Sequence, residues 1–60
     1  MNNDDVMSIM QELVSYANKN FYEIVYVEID YYKLQVNARL VNMHNETYRM
    51  HFNGARWVVE

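Results

Sequence analysis

The sequence predicts a single α+β domain over residues 1–60, in which one N-terminal helix packs on a four-stranded antiparallel β-meander in the order α-β-β-β-β. Three observations support this fold class. Apolar residues recur at helical spacing up to residue 19, they alternate with polar residues from residue 21 onward, and Asn53-Gly54 is a strong hairpin signal. The strands are therefore expected at about 21–30, 33–41, 47–52 and 55–59.

The helix is expected at about 4–19. Asn3, Asp4 and Asp5 can accept hydrogen bonds from the N–H groups of the first turn, which have no partner inside the helix. An apolar stripe follows at helical spacing, and it consists of Val6, Ile9, Met10, Leu13, Val14 and Ala17. Asn20 tolerates the left-handed conformation that commonly closes a helix, so the helix is predicted to end there.

The first two hairpins are predicted from the face on which each apolar residue must lie. A tight turn at Tyr31-Tyr32 pairs Ile29 with Leu34, Val27 with Val36 and Val25 with Ala38, so that all six face the helix. In the second hairpin Leu40 must face the same way as Tyr48, which requires an odd-numbered loop. A three-residue loop, Met43-His44-Asn45, with Asn45 left-handed, satisfies this condition.

The last hairpin is predicted from its turn residues. Asn53-Gly54 favours a type I′ turn, because both residues accept positive φ. This turn pairs Phe52 with Ala55, Met50 with Trp57 and Tyr48 with Val59. All six side chains then point towards the helix, so the turn chemistry and the side-chain pattern predict the same register.

An apolar margin is expected on the face of the sheet away from the helix. Its members are Tyr22, Ile24, Tyr26, Val41 and Val58. The first strand is long, lies at an edge of the meander, contains no Pro and has no Lys in its middle, so the usual protections against edge pairing are missing. We therefore predict that this margin contacts a second chain, either a copy of the protein or a larger partner. For a homodimer, antiparallel pairing of two first strands is favoured, and the margin of the helix around Met7 and Tyr16 is the alternative.

A basic cluster is expected on the same face, formed by Arg39, Arg49, His51 and Arg56. Opposed like charges are destabilising, so Arg39 facing Arg49 indicates a carboxylate or phosphate nearby. Two alternatives remain open. The arginines can be solvated residues whose stems cover apolar neighbours, or they can bind single-stranded nucleic acid together with aromatic residues.

Size and composition favour association with another polypeptide. A chain of 60 residues without Cys has no disulfide to stabilise a small core, and 52% of its residues are apolar, so a homodimer is expected. The two histidines lack metal-site spacing, and no cofactor or metal is predicted. No nucleophile motif, phosphate loop or paired carboxylates are recognised, so the protein is not expected to be an enzyme.

The sequence as a whole predicts a small protein-binding module in the cytoplasm. The polar start MNNDD and the short apolar runs predict neither a secretory signal nor a membrane span, and the net charge of −3 argues against a general affinity for nucleic acid. The more specific hypothesis is stoichiometric occlusion of a larger protein by an inhibitor from a phage or mobile element. Such an inhibitor would act in the host cytoplasm on a host enzyme or defence complex. A nucleic-acid-binding protein and a structural subunit of a larger assembly are the alternatives.

Overall fold

The computed structural model describes residues 3–60 and confirms the predicted α+β fold. Helix α1 spans Asn3–Lys19, and the strands are β1 (Glu23–Asp30), β2 (Gln35–Val41), β3 (Thr47–Phe52) and β4 (Trp57–Val59). The sheet order is β1-β2-β3-β4 with antiparallel neighbours, which places β1 at an edge. The predicted capping by Asn3 and Asp4 lies outside the side chains that the structure describes.

Helix α1 packs on the sheet through residues four apart. Ile9, Leu13 and Ala17 are buried, because this spacing places them one above another on a single face. Val6 and Met10 are half-buried beside them. Val14 was predicted to widen the stripe but is 44% exposed, since it lies beyond the margin of the face that meets the sheet.

The core lies between α1 and the inner face of the sheet. Leu13 from the helix clusters with Leu40 from β2, and Ile9 clusters with Val36 from β2. Leu13, Leu40 and Val36 are fully buried. Burying a side chain of this size contributes about 1.5–3 kcal/mol to stability. At the far edge, Trp57 Nε1 donates a hydrogen bond to the Ile9 carbonyl at 3.0 Å. This bond attaches the short strand β4 to the helix.

Helix α1 ends at Lys19, as predicted, but the left-handed residue that follows it is one position later than the predicted Asn20. The Tyr22 N–H donates to the Ala17 carbonyl at 2.8 Å, and the Phe21 N–H donates to the Asn18 carbonyl at 3.4 Å. This pair of bonds is the Schellman motif, in which the residue after the C-cap is left-handed. That residue is Phe21, with φ of 60°.

The middle hairpin has the predicted register. Leu40 pairs with Tyr48, and the left-handed residue of the loop is Asn45, with φ of 61°. The Asn42 side-chain oxygen accepts hydrogen bonds from the N–H groups of His44 and Glu46, both at 2.9 Å. The Asn42 side chain therefore supports the loop from within.

The first hairpin differs from the predicted pairing. Ile29 pairs with Val36 rather than Leu34, and the loop contains four residues, 31–34. A two-residue type I′ turn would require positive φ at both tyrosines, which their side chains disfavour. Instead, Asp30 Oδ1 accepts hydrogen bonds from the Tyr32 and Lys33 N–H groups at 3.0 and 3.1 Å, and Leu34 takes the left-handed conformation at φ 52°.

The last hairpin is also shifted. Phe52 pairs with Trp57 rather than Ala55. Asn53 is not left-handed, because its side-chain oxygen accepts hydrogen bonds from the Ala55 and Arg56 N–H groups at 2.9 and 3.1 Å. The tip of the turn moves to Gly54, with φ of 98°, and Ala55. Strand β4 therefore begins two residues later than predicted.

Both shifts leave the predicted faces largely intact because each pairing moves by two residues. A shift of two preserves the alternation of side chains, whereas a shift of one would reverse it. The reversal does occur in β1, where the register changes between Ile24 and Tyr26. The bulged residue, Val25, was predicted to face the core and is 53% exposed.

Candidate binding face of the sheet

The face of the sheet opposite α1, here called the outer face, carries four rows of side chains across the strands. These rows are Glu23–Val41–Thr47, Tyr26–Arg39–Arg49, Glu28–Asn37–His51–Val58 and Asp30–Gln35. Strand pairing places the members of a row side by side, with Cβ atoms of opposed residues about 4.5–5.5 Å apart. The outer face therefore presents a basic and aromatic central row between more polar neighbours.

The central row brings two positive charges together. Arg39 is the direct cross-strand partner of Arg49, and its guanidinium carbon lies 5.9 Å from the ring centroid of Tyr26. The ring attracts the Arg39 charge, and like charges on directly opposed strand residues repel one another. An anion bound across the row would remove this repulsion.

A shallow concavity of about 260 Å³ lies over the central row. The side chains of Tyr26, Asn37, Arg39 and Arg49 border it together with Glu60. Glu60 is held there because its N–H donates to the Arg49 carbonyl at 2.9 Å. Small-molecule pockets usually measure about 300–1,000 Å³, so this surface suits a single side chain or anionic group better than a whole cofactor.

Tyr26 is polarised by its neighbours on the outer face. Its hydroxyl donates a hydrogen bond to Glu28 Oε2 at 2.5 Å. This bond, the negative charge of Glu28 and partial desolvation raise the pKa of Tyr26 above its usual value, while Arg39 opposes the rise. The phenol therefore stays protonated across the physiological range and holds the Glu28 carboxylate beside the central row.

The neighbouring row is ordered by a bond between His51 and Asn37. His51 Nδ1 lies 2.8 Å from Asn37 Oδ1. Because an amide oxygen only accepts, Nδ1 carries the proton, and the other ring nitrogen, Nε2, is the acceptor in the neutral ring. Val58, the partner of His51 on β4, is exposed and adds an apolar contact at the edge of this row.

The structure brings together three residues of the predicted sites, Tyr26, Arg39 and Arg49, and places His51 in the next row. Arg56 does not belong to the cluster. The shifted β3–β4 turn pairs it with Asn53, four residues along β3 from Arg49, which corresponds to about 14 Å at 3.4 Å per residue. The prediction that Arg56 belongs to the basic cluster with Arg39, Arg49 and His51 is therefore wrong.

Two members of the predicted apolar margin lie on the other side. Tyr22 and Ile24 pack against the buried core cluster, because the bulge at Val25 reverses the faces of the residues before it. Tyr22 also stacks between Tyr16 and Tyr48, with ring centroids 6.0 and 5.1 Å away. Their predicted placement on the outer face is wrong. Val41 and Val58 are on that face, half-buried and exposed respectively.

Sequence reasoning missed a second exposed surface at the end of the sheet where α1 meets β1. A concavity of about 210 Å³, here called the hairpin-end concavity, is lined by Phe21, Tyr22, Glu23, Val41, Asn42 and Met43. Phe21 is 79% and Met43 is 78% exposed. The signal in the sequence was the aromatic pair Tyr16 and Tyr22, whose six-residue spacing matches the apolar contact of a Schellman motif and so places the left-handed residue at Phe21.

Within the described part of the chain, no three His, Cys, Asp or Glu side chains lie close enough to hold a metal ion. Among residues 3–60, no helix is both long enough and apolar enough to cross a membrane. No protein-family model, curated protein or solved structure matches the chain. The interpretation of its function therefore depends on the two surfaces described above.

Proposed function

We propose that this chain is a small protein-binding module whose outer face recognises an acidic surface on a larger protein. The observation that carries the proposal is the pairing of Arg39 with Arg49 beside an exposed Tyr26, over a concavity of about 260 Å³. Arginine forms two parallel hydrogen bonds to a carboxylate or phosphate, and two adjacent guanidinium groups can hold two such acceptors.

The residue types and their support suit a binding hot spot. Tyrosine and arginine are enriched among residues that contribute most to protein–protein affinity. Here both stand on paired strands rather than on a loop, so little conformational freedom is lost when a partner binds. Binding also relieves the repulsion between the two arginines, which favours the complex over the free module.

The proposed mode of action is occlusion of the partner's surface, as an inhibitor from a phage or mobile element would require. A standard interface removes about 800 Å² from each partner. Against the accessible surface of 4570 Å², this is about a sixth of the protein. The outer face of the sheet would thus be the blocking surface, and one copy of the protein would bind each target.

The homodimer expected from composition is retained as a proposal, with its contact moved from β1 to α1. Strand β1 is bulged at its edge, which protects against pairing. On α1, Met7, Met10 and Val14 follow heptad spacing and line a shallow apolar groove with Gln11 and Ser15. An antiparallel pairing of two such helices would pack Met7 of one copy against Val14 of the other.

The test compares wild type with Arg39→Glu/Arg49→Glu and with Arg56→Glu as the matched control. Each immobilised protein is exposed to a host lysate, and the retained proteins are quantified by mass spectrometry. We expect one partner to be retained by wild type and Arg56→Glu and lost by the double variant, with loss of wild-type binding at high salt. Retention of the same partners by all three would contradict the proposal.

Single-stranded nucleic acid is the second candidate ligand. The closeness of Arg39 to the Tyr26 ring favours it, because arginine and aromatic side chains stack on bases. A parallel measurement tests this candidate. A labelled oligothymidylate is titrated with wild type at low ionic strength, and its fluorescence anisotropy is followed. Saturable binding that the double variant loses and Arg56→Glu keeps would mean that the outer face binds single-stranded nucleic acid and not an acidic protein surface. We expect no saturable binding.

A further inference from the structure

The hairpin-end concavity contains an aromatic side chain that the fold does not use. Phe21 is 79% exposed, although its neighbour Tyr22 is packed into the stack with Tyr16 and Tyr48. Met43, at the tip of the β2–β3 hairpin, is 78% exposed on the same concavity. These two large exposed side chains line the concavity together with Tyr22 and Val41.

The backbone of Phe21 makes this exposure more informative. Its φ of 60° lies in the left-handed region, where the C-cap motif ordinarily places glycine. A phenylalanine there costs the fold stability and adds little to the core, so folding does not explain why this position carries an aromatic ring. The Schellman hydrogen bonds and the tyrosine stack fix the backbone on both sides of Phe21.

The rim of the concavity is acidic. Glu23 lines it directly, and Glu46 reaches it through a hydrogen bond from Asn42 Nδ2 to Glu46 Oε1 at 3.0 Å. Both carboxylates belong to exposed residues and carry their charge beside apolar surface. A ligand that is apolar in the middle and positively charged at its flanks complements both features.

We propose that the hairpin-end concavity is a docking site for a partner's peptide segment in which a large apolar side chain is flanked by lysine or arginine. The opening of about 210 Å³ has room for one such side chain between Phe21 and Met43. Glu23 and Glu46 pair with the flanking cations. This site recognises basic groups, whereas the outer face recognises acidic ones, so the two proposals stand or fall separately.

The test uses two synthetic probe peptides, one with a leucine between lysines and one with the same leucine between glutamates. Isotope-labelled protein is titrated with each, and amide chemical shifts are followed by NMR. We expect the lysine peptide to shift residues 21–23, 41–43 and 46 in a saturable manner, and the glutamate peptide to shift none of them. Equal responses to the two peptides, or no saturable response to the lysine peptide, would overturn the proposal.

Three variants separate the anchor from the fold. Phe21→Gly should weaken the lysine peptide roughly tenfold, as expected for an aromatic anchor, without lowering the melting temperature. Tyr32→Gly, which removes a fully exposed aromatic side chain from the β1–β2 turn, should leave affinity unchanged. Arg39→Glu/Arg49→Glu should retain the Phe21-dependent binding. Undiminished binding by Phe21→Gly, in a protein whose spectrum shows it to be folded, would also overturn the proposal.

Discussion

Replacing Phe21 by glycine and by alanine should reverse the usual order of stability of these two residues. At an ordinary position glycine is the less stable of the two, because it loses more conformational freedom on folding. At Phe21 the backbone φ is 60°, which any residue with a Cβ adopts at a cost of roughly 1–2 kcal/mol. Glycine avoids this cost, whereas alanine bears it as phenylalanine does.

The difference between the two variants can be worked out because both remove the same ring. Glycine gains roughly 1–2 kcal/mol from the relieved backbone and loses about 0.4–1 kcal/mol through the greater freedom of its unfolded chain. Phe21→Gly should therefore be more stable than Phe21→Ala by about 0.8 kcal/mol, which is about 3–6 °C in melting temperature for a domain of this size. Against wild type, Phe21→Ala loses only the buried fifth of the ring, about 0.5 kcal/mol.

The assay is urea unfolding followed by circular dichroism, with the midpoints and slopes compared across variants. The matched control is Asn18, which lies inside α1 and is exposed. There, glycine should be less stable than alanine by about 1 kcal/mol. If glycine were also the less stable residue at position 21, the left-handed Schellman ending of α1 would be refuted.

Three further predictions concern the edge strand, the helix and the phenol. Trp57→Phe removes the hydrogen bond to the Ile9 carbonyl but keeps an aromatic ring, so it should lower the free energy of unfolding by about 1–2 kcal/mol, measured by urea unfolding. Val14→Lys should convert the proposed dimer into a folded monomer, as measured by sedimentation. A wild-type protein that is already monomeric at high concentration would contradict the α1–α1 contact. Glu28→Gln should lower the raised pKa of Tyr26, seen in the ultraviolet titration of the phenol. Because the folded pKa is the higher one, this contribution to stability is present below the unfolded value near 10 and is lost as the pH rises through the folded value.

The fold could be predicted from the sequence because its signals are redundant. The helical stripe and the alternation of the later residues specify the elements, and the odd loop around Asn45 specifies the middle register. The two other hairpins were misplaced because Asp30 and Asn53 use their side chains to accept backbone hydrogen bonds, which lengthens each turn. A sequence shows that such residues favour turns, but not which neighbouring N–H groups they will bind.

The candidate site was predicted only in part for the same reason. Arg39 and Arg49 face each other in the structure as they do in the prediction, because the middle hairpin determines their pairing. Arg56 and Ile24 were misplaced because their positions depend on the last turn and on the bulge at Val25. The bulge leaves no clear pattern in the sequence, since Ile24 and Val25 are both apolar and either can face the core.

The bulge also changes what the apolar character of β1 means. Without it, residues 22, 24 and 26 would form one exposed stripe at the edge of the sheet. With it, the first two turn towards the core and only Tyr26 remains on the outer face. A two-fold antiparallel pairing of β1 strands centred between Tyr26 and Val27 would oppose Glu23 and Asp30, and a shift by two residues in one direction would oppose Glu23 and Glu28. Opposed like charges disfavour both arrangements, so the contacts of this module with other chains should use its faces and its hairpin end rather than its free edge.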